Sequence, residues 1–305
     1  MPAGYTHYCF GKDVYKHLDD QNIKDLLLRN ENCFLIGLHG PDIFFYERWN
    51  KIARKMHQKK ANTFFEKAQD IIQSEAQLAY ILGFICHYLL DSQMHPYIKR
   101  MIKNTNMDHF EIESDYDRLL LKRNHQDPLH KEIYEHIRFK EKEICTIQSF
   151  FPELSYLDIK KALKGLKRID HLLKAPSFLK RGLIYGCFQL TFNFHKLQGL
   201  IINYHHNKEM EKYNDILDKI YQQTLKEALI YLPLYIQNYK KHAPLPERYY
   251  HNYKQCIKWC TIFYKSKPSL KALPTFSPKT RYVLLTISKA IISILSTSIL
   301  PFSSK

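Results

Sequence analysis

Residues 74–91 read SEAQLAYILGFICHYLLD, and this stretch sets the architecture. Ser74 stands where a helix N-cap accepts the first free amide hydrogens, and the run after it is apolar nearly all round. A helix that is apolar on every side is covered by neighbours, so the stretch predicts the central helix of an all-α protein. Two polar residues interrupt it near its end, His87 and Asp91, one turn apart on one face. An imidazole and a carboxylate in such surroundings cost several kcal/mol unless they are paired or hold a metal.

Helical spacing extends on both sides. The apolar positions Val14, Leu18, Ile23, Leu26 and Leu27 predict one amphipathic helix over 12–30, followed by a loop around GLHGPD (37–42). Residues 43–60 and 62–73 read as helices, and Pro96 predicts a break near residue 95. Further helices are expected over His109–Leu121, Leu154–Leu173, Phe178–Leu200, Lys208–Tyr239 and Glu247–Phe263. No β-alternation or internal repeat competes, and only 9 glycines among 305 residues agree with an all-α bundle.

The bundle is expected to be a single domain over residues 1–265. Residues 266–281, SKPSLKALPTFSPKTR, read as an extended Pro/Lys-rich linker. Residues 282–305 form an apolar C-terminal segment, in which Thr286, Lys289, Ser293 and Ser296 recur at three and four. That polar stripe favours a helix lying on a membrane surface over one spanning it, with docking on the protein's own surface as the competing reading.

The net charge of +16 is unevenly placed: 17 basic against 17 acidic residues up to position 130, then 29 against 13. Such a second half draws anions, whether lipid headgroups, a membrane surface or nucleic acid, although charge alone names no partner. The seven cysteines show no C-x-x-C, and Cys256 and Cys260 read as packing residues on one helix face. The N-terminal residues lack the charged-then-apolar order of a secretory signal, so a reduced, cytoplasmic protein is expected, peripheral on the inner face of a membrane if its C-terminal segment docks there.

The chemistry concentrates at 87–113: His87-x3-Asp91-x3-His95, then His109-x3-Glu113. Residues four apart share a helix face, so each pair points into one site. Zinc accepts imidazole nitrogen and carboxylate oxygen, usually with four ligands, so two such pairs with a histidine between them suffice for more than one metal. One H-x3-[DE] pair alone is a weak signal, explained by a histidine satisfied by its neighbour.

Upstream, in order, stand YTHYCFG with His7, GLHGPDIFFY with Asp42 and RKMHQ with His57. Together with CHYLLDSQMHPY and DHFEIE, this ordered set of eight residues resembles the zinc-dependent phospholipase C family. The resemblance implies a helical domain with a cleft for up to three zinc ions. It implies that Asp91 bridges two zincs, that Asp42, His57 and His87 complete one of them, and that His95, His109 and Glu113 hold another. His7 would bind the third, together with the amine of the mature N-terminus; removal of Met1 would make that residue Pro2. The related single-strand nucleases share the fold but tend to a longer step after the residue matching His95 and to a final aspartate.

The function implied is hydrolysis of a phosphodiester, most simply of a phospholipid, by zinc-activated water that Asp42 orients or deprotonates. A zinc nuclease or nucleotidase keeps the site and changes the substrate. A third reading is a non-catalytic, membrane-associated helical protein with structural zinc. Among the remaining polar and aromatic residues, His39 is expected to order its loop. His125 and His130 are expected in solvent, as are Glu111 and Asp115, while His205 and His206 carry no assignment. Tyr5, Phe44, Phe45 and Tyr46 are expected to pack in the core.

Overall fold

The computed structural model describes residues 3–45, 50–105, 107–191, 194–241 and 243–253. The linker and apolar segment expected over 266–305 therefore lie outside the described residues, as do Pro2, Tyr46, Cys256, Cys260 and the end of the helix expected over Glu247–Phe263.

Among the described residues the fold is all-α, with no strand. In chain order the helices are α1 (Gly4–His17), α2 (Gln21–Arg29), α3 (Glu31–Gly37), α4 (Asn50–Gln58), α5 (Asn62–Ile71), α6 (Glu75–Asn104) and α7 (His109–Arg123). They continue with α8 (Glu141–Phe150), α9 (Tyr156–Leu173), α10 (Phe178–Leu190), α11 (Phe194–Leu197) and α12 (Glu211–Lys241). Short 3-10 turns at Gly40–Phe44 and Glu247–Tyr250 frame the site described below.

The 30-residue α6 is the axis of the molecule, buried from Ala79 to His95 without interruption. Ser74 closes its N-terminus in a capping box, accepting from Gln77 N while the Gln77 side chain accepts from Ser74 N. The break expected at Pro96 does not occur, and α6 runs on to Asn104. An internal proline forfeits one backbone hydrogen bond and costs about 3 kcal/mol. Tyr97, Ile98 and Met101 are buried beyond it, and their packing offsets that loss. The single helix expected over 12–30 is instead two: Leu18 is extended (ψ 135°), and Asp20 starts α2 by accepting from Asn22 N and Ile23 N. An Asx cap competing with the helix backbone outweighs the apolar period there.

α3 and α6 cross backbone to backbone. A Cβ at Gly37 would run into the Tyr80 carbonyl oxygen, and one at Gly83 into that of Phe34. Neither obstacle is a movable side-chain end. Gly83→Ala is expected to lower stability by about 3 kcal/mol or more, read by urea unfolding; an unchanged midpoint would refute this close packing.

A small satellite core, built from Leu172, Ala175, Ile184, Phe188, Leu197 and Ile201, sits beside the main one. It is locked to α7: the backbone at Gly199 lies against Glu111, and Arg118 donates to the carbonyls of Asn203 and Tyr204. No helix among the described residues is long and apolar enough to cross a membrane.

Candidate metal centre

Four helices and one 3-10 turn bring the eight predicted residues into one buried cluster. On α6, His87, Asp91 and His95 occupy successive turns of one face. His7 comes from α1, Asp42 from the Gly40–Phe44 turn, His57 from α4, and His109 and Glu113 from α7.

Asp91 is the hub, and its two oxygens face different histidines. Oδ1 lies 3.1 Å from His7 Nε2 and 3.7 Å from His95 Nε2. Oδ2 lies 3.3 Å from His87 Nε2 and 3.4 Å from His57 Nε2. Asp42 Oδ1 stands 3.3 Å from His57 Nε2. On the other side, Glu113 Oε1 is 2.8 Å from His109 Nε2 and 3.5 Å from His95 Nε2. Three trios bring their ligand atoms within 4.8 Å of one another: His7–His87–Asp91, Asp42–His57–His87 and His95–His109–Glu113.

Local structure aims these groups. The His57 ring makes a hydrogen bond from Nδ1 to Ala53 O at 2.8 Å, and His87 makes one from Nδ1 to Leu38 O at 3.2 Å. Each therefore donates N–H outward and turns the Nε2 lone pair inward, as metal-ligating histidines do. Gly40 has φ +46°, and a Cβ there would strike the His87 ring, so this position requires glycine on both counts. His7 stacks on His87 with centroids 4.3 Å apart. His109, 34% exposed, is the open member of the set; the other seven side chains are at most 7% exposed.

The electrostatics are those of crowded opposite charges. Burial alone would raise the Asp91 carboxyl, but His95, His87, His57 and His7 together hold it well below the usual carboxylate range. Burial likewise opposes ionisation of Glu113, and His109 and His95 overcome it, leaving its pKa at about 2. Burial pushes His7 and His57 down, yet the carboxylates, led by Asp91, raise both. At His87 burial prevails and the pKa falls.

These contacts are close but mostly fail as hydrogen bonds. His7 Nδ1, Asp42 Oδ1, His57 Nε2, His87 Nε2, Asp91 Oδ2, both ring nitrogens of His95 and Glu113 Oε2 are buried without a hydrogen-bond partner among the described residues. Native proteins rarely leave such atoms unpaired. Converging nitrogen and oxygen lone pairs of this kind fit zinc, which takes this donor set. A small cavity bounded by Thr6, His7, Asp91, His95 and Glu113 adjoins them.

Other flagged residues divide. His39 bonds His136 through Nε2 at 2.7 Å, and its carbonyl accepts from Asp42 N, so it does order the loop. Burial lowers His136 to about 3, and His39 well below its ordinary value. His125 and His130 are exposed, as expected, and Glu111 is half-buried. Tyr5 and Phe44 are core residues, while the half-buried Phe45 lies 5.5 Å from the His57 ring. Asp115 departs from expectation. It is 3% exposed, accepts from Asn207 N and Asn214 Nδ2, and pairs with His206, fastening the chain before α12 onto α7.

Two supporting residues were missed. Asp117 accepts from Thr6 N (2.7 Å), Thr6 Oγ1 (2.6 Å) and Tyr5 N (3.3 Å), capping α1 from α7 because Ala3 offers no side-chain cap. It holds His7 against the helix that carries His109 and Glu113. Its signal was its place four residues past Glu113. Tyr253 packs its ring 4.9 Å from His57 and 6.0 Å from His87, and no local pattern announces it.

An all-α fold with histidines and carboxylates converging between packed helices defines a helical protein built around a buried cluster that fits metal binding. The model of the zinc-dependent phospholipase C family matches residues 6–156, about half of the chain and the part that carries all eight residues, and the chain belongs to that family. No curated protein and no solved structure matches it. The family is one of zinc-dependent hydrolases whose substrates are phospholipids.

Proposed function

We propose that the chain is a phospholipase C-like hydrolase that cuts a phosphodiester, releasing diacylglycerol and a phosphorylated headgroup from a phospholipid. The observation that carries this reading is the set of buried, unpaired donor atoms around Asp91. Asp42, His57 and His87 would hold one zinc and His95, His109 and Glu113 a second. Asp91 would be shared between them, a role supported by its two oxygens facing separate histidine pairs. When bound, zinc supplies a water acidified to near neutrality and charge to clamp the phosphate oxygens.

The chain's own groups do the rest. Ala53 O and Leu38 O fix the rings of His57 and His87, so the site is organised before substrate arrives. Asp42, whose Oδ1 faces His57, orients the attacking water and takes its proton. His109 lies at the exposed side, where the phosphodiester enters. His7, whose Nε2 lies 3.1 Å from Asp91 Oδ1, would contribute to a further ion on that side.

The test is zinc quantitation with a panel of phosphodiesters, both lipid and nucleotide, against His87→Ala. Zinc-dependent release of phosphorylated headgroup, lost in the variant, is the expected result. Cleavage of polynucleotide with no lipid turnover would replace this reading with that of a nuclease. Stoichiometric zinc without turnover of any diester would leave only a structural metal.

A further inference from the structure

Helix α10 is apolar on two opposite faces. Its inner face, with Ile184 and Phe188, is buried in the satellite core. Its outer face carries Leu179, Leu183, Gly186 and Leu190, spaced four, three and four along one stripe, with Phe178 and Gly182 beside it. Phe178 is 81% exposed, Leu179 78%, Leu183 61% and Leu190 81%. A Cβ added at Gly182 or Gly186 would meet nothing. Isolated exposed leucines are ordinary, but a contiguous stripe of this kind marks an interaction surface.

The chemistry around the stripe names the partner. Residues 171–208 contain no aspartate or glutamate. Arg181 is buried on the Ala175 and Ile202 carbonyls and Lys174 pairs with Glu132, which leaves Lys180 on α10 itself and the exposed Lys196 and Lys208 as the basic residues of this stretch. We propose that this outer face of α10 docks on an anionic lipid bilayer, the leucines and Phe178 entering the acyl boundary and the lysines meeting the headgroups. A second copy of this chain fits less well, because self-association through the stripe would set its basic margins against each other. The surface is rigidly tied to the metal centre: the satellite core rests on α7 at Glu111, between His109 and Glu113. Docking is a binding property and holds independently of the hydrolytic reading.

The experiment uses the full zinc-loaded chain with vesicles of phosphatidylcholine, with or without phosphatidylglycerol. The indole introduced by Leu183→Trp should shift to the blue and be quenched by brominated acyl chains in the anionic vesicles. It should respond weakly to pure phosphatidylcholine and less as salt rises. Leu179→Glu combined with Leu183→Glu should lower vesicle partition by more than about tenfold. That variant should keep zinc content and turnover of a soluble diester, since neither leucine belongs to the metal centre. An indole that stays in water, or a double variant that partitions like the parent, overturns the proposal. A dimer that the double variant splits would assign the stripe to self-association instead. Docking without lipid cleavage refutes only the hydrolytic reading, and cleavage without α10 insertion refutes only this one.

Discussion

Asp91→Asn is expected to lower phosphodiester turnover by more than about 10^3-fold and to strip zinc, while leaving the protein folded. The substitution conserves volume, so the packing of α6 against its neighbours is undisturbed. What changes is one oxygen for an amide. An amide does not bridge two cations, and its N–H groups are donors where lone pairs are needed. Those donors can point at the inward Nε2 atoms of His57 and His87, whose Nδ1–H groups are committed to backbone carbonyls. The metal-free variant can satisfy those two nitrogens but loses the pairing of the carboxylate with His7 and His57, so its unfolding midpoint should fall below that of metal-free wild type while the chain stays folded. Zinc content and turnover retained at wild-type levels would end the bridging assignment.

Removing zinc from the wild-type protein should cost about 4 kcal/mol for each ion that was at a thousandfold its dissociation constant, and lower Tm by about 10 °C or more. The pH dependence should also invert. Glu113, with a pKa of about 2 against an unfolded value near 4.3, contributes stability above about pH 4.3 that is lost as pH falls toward its folded value. Asp91 acts in the same direction. His7 and His57 are raised, so their contribution is complete below about pH 6.5 and is lost as pH climbs through their folded values. His87, lowered by burial, partly offsets this on the acid side. Metal-free protein should thus be most stable between about pH 5 and 6. Bound zinc requires unprotonated imidazoles and moves the optimum to neutral pH or above. Urea titrations with chelator at mildly acidic and mildly alkaline pH decide it. A metal-free form more stable on the alkaline side refutes the account.

Much of this was legible before any coordinates, for identifiable reasons. The central helix showed because α6 is buried on all sides and its composition says so, and Ser74 behaved as its position promised. The convergence of the eight candidate residues was readable because their types and order resemble one family, and the i, i+4 spacing of His87, Asp91 and His95 on one helix is a local property. What failed was governed by longer-range terms. The proline at 96 reads as a break unless the packing of Tyr97, Ile98 and Met101 is known. Asp115 reads as solvent-facing until α12 delivers Asn214 to it. Residues 12–30 read as one helix because the apolar period continues across Asp20, whose cap decides otherwise.

Tyr253 has a consequence for how the protein is made. Tyr88 donates from its hydroxyl to Arg248 O, and Arg248 reaches back to Ser92 and Leu89 O, so residues 248–253 are clasped onto the back of α6. The eight candidate ligands all lie within the first 113 residues, but the wall behind His57 and His87 is among the last described segments to be synthesised. Those candidate ligands are therefore made well before the residues that back two of them. The surroundings of His57 and His87 are complete only once residue 253 has been made.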